Sequence, residues 1–149
     1  MGRIRILLVD DHDLIRRNIR RLLEADADFE LVAEATTGLK AIAQSSEQQP
    51  DVILLDISLP ELNGLAALPL ILKAAPKTKV LMVSNHEHSD FARASFSAGA
   101  RGFLTKSDIS AELALAIHRV YANETFLSRS MKMEGEFKSS VPSIGSAEA

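Results

Sequence analysis

The sequence predicts an α/β fold in which a parallel β-sheet carries helices on both faces. Three largely apolar runs, at residues 4–9, 52–55 and 79–83, each end abruptly on a polar residue. Continuous apolar runs of this length, bounded by turn signals, are typical of strands buried on both faces. Segments with helical periodicity alternate with these runs, and right-handed crossovers then place the helices on the two faces of the sheet.

The first half of the chain contains three predicted strands and two predicted helices. After the strand at 4–9, apolar residues in the segment 14–23 fall on one helical stripe. Residues 29–35 mix acids with apolar residues, which favours a strand nearer an edge of the sheet. A break at Gly38 is followed by a short helix at 39–47, and the wholly apolar run 52–55 is the central strand.

The second half continues the alternation. A helix at 65–75 contains Pro69, whose ring removes a backbone hydrogen bond at a cost of roughly 3 kcal/mol, so we expect that helix to be kinked or to start late. Strands at 79–83 and 102–105 enclose a helix at 90–98, which Ser89 would cap and Gly99 would end in the left-handed conformation. A last amphipathic helix spans residues 109–120.

Composition limits the classes of protein that the chain can represent. Its 149 residues are 46% hydrophobic and 25% charged, which fits one globular domain, and the net charge of -3 argues against nucleic-acid binding by this part alone. Without cysteine there is no disulfide or thiolate metal site. No apolar run approaches the ~20 residues that span a bilayer, so we predict a cytoplasmic protein.

Residues 1–125 are predicted to form the domain, and residues 126–149 a linker or disordered tail.

Chemically active residues stand where the predicted strands end. Asp10 and Asp11 follow the first strand, Asp56 the third, Ser84 the fourth and Lys106 the fifth. The carboxyl ends of parallel strands lie at one edge of the sheet, where such folds bind ligands, so these side chains should converge.

Convergence of three carboxylates requires a cation among them. An oxygen-only ligand set without cysteine favours a hard ion, and Mg²⁺ combines a few protein oxygens with water and phosphate. A lysine and a hydroxyl beside it would complete a site for a phosphoryl group, and an Asp carboxylate can itself be the nucleophile.

Four motifs at these positions identify a family resemblance. They are Asp10-Asp11-His12; Asp56 with Pro60 and Asn63-Gly64; Ser84-Asn85-His86-Glu87; and Gly102-Phe103-Leu104-Thr105-Lys106. Together they resemble the receiver domain of two-component response regulators over roughly residues 3 to 125. The residues of these motifs are most similar to those of the transcriptional regulators of the NarL/FixJ (LuxR) type.

The resemblance implies a flavodoxin-like fold with strand order 2-1-3-4-5. It also implies that Asp56 accepts a phosphoryl group from a sensor histidine kinase or a phosphotransfer protein. The protein would therefore be no enzyme beyond its own phosphorylation and dephosphorylation at Asp56, and phosphorylation would favour a homodimer.

Carried over by position, the family's metal ligands are the carboxylates of Asp11 and Asp56 and the backbone carbonyl of Ser58. Asp10 would act through water or by orienting the metal's shell. All four groups would serve one Mg²⁺ ion.

The family's remaining roles fall on three residues. Lys106 would neutralise the phosphoryl group, and the Ser84 hydroxyl would move to hydrogen-bond it while Phe103 turns inward. Each switch residue has a simpler alternative, since a serine there could cap a helix and a phenylalanine could be plain core.

The output of the signal is left open by the sequence. Regulators of this type continue into a DNA-binding helix-turn-helix, and nothing after Phe126 has the length or period of one. We expect either a piece ending at a linker or a stand-alone receiver that acts by protein contact. A haloacid-dehalogenase-like phosphatase is a further alternative, but it needs an acid two residues after the nucleophile, where Ser58 stands.

Overall fold

The computed structural model describes residues 2–132, which form a six-stranded sheet with helices on both faces. The strands are β1 (Ile4–Val9), β2 (Phe29–Ala35), β3 (Val52–Leu55), β4 (Lys79–Ser84), β5 (Gly102–Thr105) and β6 (Phe126–Leu127). The helices are α1 (Asp13–Glu24), α2 (Gly38–Gln48), α3 (Gly64–Ala74), α4 (Ser89–Ser97), α5 (Ile109–Tyr121) and α6 (Arg129–Lys132). A 3₁₀ turn, Lys106–Asp108, leads into α5. No helix in this part of the chain is long and apolar enough to cross a membrane.

Every strand pairing in the sheet is parallel, and the strand order is β2-β1-β3-β4-β5-β6. The predicted order 2-1-3-4-5 is confirmed, with β6 added beyond β5. The acid-containing β2 lies at an edge, and all four residues of the central β3 are buried. Because the five main strands are parallel, their carboxyl ends meet at one rim of the sheet.

Side-chain alternation along the strands builds a core on each face. Leu7 and Val9 join the core that packs against α2, α3 and α4, whereas Ile6 and Leu8 join the one against α1 and α5. Successive residues of a strand point to opposite faces, so a strand covered on both sides must be apolar throughout. Helices therefore lie on both faces, as the sequence predicts.

The predicted tail begins too early. Phe126 and Leu127 form β6, paired with Gly102 and Phe103, and both are buried, as is Met131 of α6. A strand of two residues shows no periodicity, and its pairing partner lies more than 20 residues away in the sequence. Because the residues around it are polar, the sequence contains no signal for this strand. The remainder of the predicted tail, residues 133–149, lies outside the described residues.

One predicted helix cap is wrong, and one predicted helix end is confirmed. Helix α3 begins at Gly64, capped by the Asn63 side chain, and continues through Pro69, so the late start is excluded and the kink stays a prediction. The side chain of His88, not Ser89, caps α4 by accepting the Asp90 N–H at 3.1 Å. Gly99 does end α4 with a φ of 113°.

Candidate functional site

The end of β1 places two acids at the rim of the sheet. The Asp10 N–H still donates to the Ala35 carbonyl of β2, at 3.1 Å, so Asp10 is the last residue held by the sheet, and it is buried. Its Oδ1 accepts the His12 N–H at 2.8 Å, which turns the chain into α1. Asp11 is more exposed than Asp10. One acid is thus fixed by the fold while its neighbour faces solvent.

Asp56 stands beside this pair at the end of the central strand. Its N–H donates to the Val9 carbonyl at 3.0 Å, and its side chain is only 2% exposed. The carboxylate accepts the Ser58 N–H at 3.3 Å, and the loop then folds back so that Gly64 N–H donates to the Ile57 carbonyl at 2.7 Å. The loop therefore fixes the Asp56 carboxylate in one orientation.

Lys106 reaches this acidic rim from β5, two strands away. Its side chain is 3% exposed, and its Nζ lies 2.7 Å from Asp10 Oδ2 and 3.2 Å from Asp56 Oδ2. The ammonium bridges two carboxylates that would otherwise repel each other. A long, flexible side chain is what allows a residue on β5 to do this.

Burial sets the protonation behaviour of the site. Removal from water raises the pKa of Asp56 above its ordinary value, and the nearby Asp10 charge adds to the rise. The Lys106 ammonium and the Ser58 N–H act against this rise but do not cancel it. Asp56 is therefore a more basic carboxylate than an exposed aspartate.

The acids and one histidine form a potential metal-binding cluster. One ligand atom from each of Asp10, Asp11, His12 and Asp56 lies within 4.8 Å of the others. His12 Nδ1 is 2.9 Å from Asp10 Oδ1 and 3.3 Å from Asp11 Oδ1. The three carboxylates are the oxygen donors that Mg²⁺ prefers.

Ser84 is the last residue of β4, and Phe103 lies within β5. Ser84 is buried, and its Oγ accepts the His86 N–H at 3.0 Å, so it shapes the loop after β4 instead of capping a helix. Phe103 is fully buried in the core beside α4. Their roles as switch residues stay predictions.

A contact over the site was not predicted. The Ser58 hydroxyl lies 2.8 Å from His86 Nε2, and the His86 ring stacks on Phe91 at 4.2 Å. The sequence does not predict this contact, because Ser58 and His86 belong to different loops, after β3 and after β4. His88, two residues after His86, caps α4.

Replacing Lys106 with methionine is expected to destabilise the protein by leaving Asp10 and Asp56 as unbridged buried charges. Breaking a buried ion pair from one side costs about 3–5 kcal/mol, and the open side of the cluster should reduce this to roughly 2 kcal/mol. Urea denaturation at neutral pH without divalent cations measures the loss, and added Mg²⁺ should recover part of it. Lys40→Met, at an exposed lysine of α2, is the matched control, and equal behaviour of the two variants would contradict the bridging role.

Residues 6–118 match the family model of the response regulator receiver domain. Response regulator GacA of Pseudomonas viridiflava is 36% identical over 145 residues, which are 97% of this chain and 67% of GacA. A LuxR-family two-component response regulator from Aurantimonas sp. SI85-9A1 superposes with a TM-score of 0.86 at 34% identity, covering 93% of this chain and 99% of that one. The signal receiver domain of NarL from Mycobacterium tuberculosis superposes with a TM-score of 0.79 at 27% identity, covering 83% of this chain and 100% of that one.

Proposed function

We propose, given that this chain belongs to the response regulator receiver family, that Asp56 accepts a phosphoryl group from the phosphohistidine of a sensor kinase or phosphotransfer protein. The observation that carries the proposal is the Lys106 ammonium lying between the buried carboxylates of Asp10 and Asp56. An ammonium group at this position can neutralise negative charge on the oxygens of a phosphoryl group that reaches Asp56.

The acidic cluster supports one Mg²⁺ ion as the cofactor. Asp11 and Asp56 would bind it through carboxylates, with the Ser58 carbonyl as a further ligand and Asp10 orienting the metal's water shell. When bound, the ion supplies positive charge that offsets the repulsion between carboxylates and phosphoryl oxygens. His12, within the same cluster, is the only described nitrogen ligand there.

The chain's own residues perform the transfer. A carboxylate oxygen of Asp56 attacks phosphorus, the bond from phosphorus to the donor's histidine nitrogen breaks, and the imidazole leaves. Lys106 neutralises charge on the phosphoryl oxygens, and the Ser84 hydroxyl, once turned from the His86 N–H, would donate to another.

We propose a transcriptional output for the whole protein. This chain spans about two thirds of the length of GacA, and the output would lie in a DNA-binding part, with a homodimer favoured by phosphorylation. A stand-alone receiver acting by protein contact is the alternative. The phosphatase alternative has no support, since Ser58 stands where that chemistry needs an acid and its hydroxyl is bonded to His86.

Incubation with acetyl phosphate and Mg²⁺ tests the proposal. We expect intact-mass spectrometry to find one added phosphoryl group, labile to hydroxylamine as an acyl phosphate is, and none when a chelator replaces Mg²⁺. Circular dichroism under both conditions shows that the protein is folded. An unchanged mass of the folded protein with Mg²⁺ would refute phosphoacceptor function.

A further inference from the structure

Asp108 stands at the start of α5, yet its side chain does not cap that helix. Its Oδ2 instead accepts hydrogen bonds from the Ser128 hydroxyl, the Ser130 hydroxyl at 3.0 Å and the Thr105 hydroxyl at 3.1 Å. The Ser130 N–H is a fourth donor, at 3.2 Å. We refer to Asp108 with Thr105, Ser128 and Ser130 as the Asp108 latch.

The latch is one of the contacts that hold the C-terminal segment 126–132 on the outer edge of β5, beside the backbone pairing of β6 and the hydrogen bond from Arg129 N–H to Glu112 Oε1 at 2.9 Å. Within that segment Ser128 N–H donates to the Phe103 carbonyl at 2.9 Å. Leu127 and Met131 are buried in the same core as Phe103, on the face that α4 covers. The segment is thus the neighbour of the strand that carries the site's lysine.

Two short connections run from the latch, one to Lys106 and the other to Ser84. The 3₁₀ turn that begins at Lys106 ends at Asp108, so the lysine and the latch carboxylate share one turn. Thr105, whose hydroxyl donates to Asp108 and whose N–H donates to the Ser128 hydroxyl, is the register partner of Ser84 in the sheet. A shift of Lys106 therefore moves the latch directly.

The latch depends on a charged carboxylate. Burial alone would raise the pKa of Asp108, but hydrogen bonds from Ser128, Ser130 and Thr105 outweigh it and lower the pKa. Hydrogen bonds to an ionised acceptor are strong and short, and they weaken steeply when donors lose alignment. Four donors on one oxygen cannot all follow a displacement of the turn.

We propose that phosphorylation of Asp56 loosens the Asp108 latch, releases the segment 126–132 from the β5 edge and so passes the signal to the chain after residue 132. Lys106 Nζ, now shared between Asp10 and Asp56, is drawn toward the phosphoryl oxygens. The turn follows the lysine, and the donors around Asp108 lose their alignment. The inference rests on the proposed phosphoacceptor function and adds the path by which the site reaches the C-terminal segment.

Hydrogen exchange on the full chain tests the release. Beryllium fluoride with Mg²⁺ serves as a stable mimic of an aspartyl phosphate, and fluorine NMR reports its binding independently. We expect the amides of residues 126–131 to exchange at least about fivefold faster when the mimic is bound, the low end of typical coupling between two sites. No bound fluorine signal would overturn the phosphoacceptor function itself. A bound signal with unchanged or slower exchange would overturn the latch proposal alone.

Reciprocal coupling provides the second measurement. Because linkage is symmetric, weakening the latch should tighten binding of the mimic, by roughly threefold to tenfold for Ser130→Ala. Asp108→Ala should do the same more strongly, and Ser130→Ala keeps the test usable if Asp108→Ala does not fold. Ser110→Ala, at an exposed serine of α5, is the matched control. If the latch variants free the segment but bind the mimic like the control, the latch is only structural and the proposal is wrong.

Discussion

The Asp56→Asn protein is expected to take up no phosphoryl group and yet to unfold at a higher urea concentration than wild type at neutral pH. The amide keeps the shape of the side chain but is no nucleophile, so uptake from acetyl phosphate should be lost completely. Stability should rise because the amide removes a buried charge that faces Asp10, while Lys106 keeps its 2.7 Å contact with Asp10. The proposed phosphoacceptor is therefore a residue whose charge lowers the stability of the fold.

The pH dependence of this gain has a definite sign. Burial and the Asp10 charge raise the pKa of Asp56 in the folded protein above its value in the unfolded chain. Below the ordinary Asp pKa both states are protonated, and Asp56 costs the fold nothing through its charge. As the pH rises through the interval up to the raised pKa, the unfolded chain ionises first, and stability is lost. Wild type and Asp56→Asn should therefore differ least in acid and most at neutral pH.

Urea denaturation at several pH values, without divalent cations, measures this difference. Glu30→Gln, which removes an exposed carboxylate on β2, should show no such pH-dependent gain and should be phosphorylated like wild type. A stability difference that is independent of pH would mean that the charge of Asp56 is not the cause. Phosphoryl uptake by Asp56→Asn at the wild-type level would place the acceptor elsewhere.

The sheet could be predicted because burial on both faces leaves a strong signal in the sequence. A strand such as β3 must be apolar at every position, and the acids in β2 indicated the edge that the structure confirms. The misses are local or very short. The side chain of His88, and not Ser89, accepts the Asp90 N–H at the start of α4. Strand β6 has only two residues, and it is recognisable only by its pairing with β5.

The site could be predicted as a meeting of residues but not as a set of contacts. Parallel strands bring Asp10, Asp56 and Lys106 to one rim, and the structure indeed places the ammonium within 3.2 Å of both acids. Which hydroxyl meets which histidine depends on loop conformation, so the contact of Ser58 with His86 left no signal in the sequence. Asp108 was missed for a different reason, since an aspartate before a helix is ordinarily its cap.

Substituting alanine for Gly64 gives the sharpest test of how the loop holds Asp56, because two physical effects predict opposite results. Gly64 is the first residue of α3, and alanine is the better helix former by up to about 1 kcal/mol. A Cβ at this position, however, would lie 2.1 Å from the Asp56 carbonyl oxygen and 2.9 Å from the Ile57 Cα. Both are backbone atoms of the loop that begins at Asp56, so neither can rotate away.

We expect steric overlap to dominate in Gly64→Ala, with a loss of about 3 kcal/mol in the free energy of unfolding, at the upper end of typical overpacking costs. The Asp56 backbone must move to admit the methyl group, and misplacing a reacting group by about 1 Å can slow its reaction roughly a hundredfold. Urea denaturation and the rate of phosphorylation by acetyl phosphate measure the two effects. Gly2→Ala, where a Cβ would meet nothing within 4 Å, should change neither. A Gly64→Ala protein as stable as wild type would mean that the loop can yield, and Asp56 would then owe its orientation to Lys106 and the Ser58 N–H.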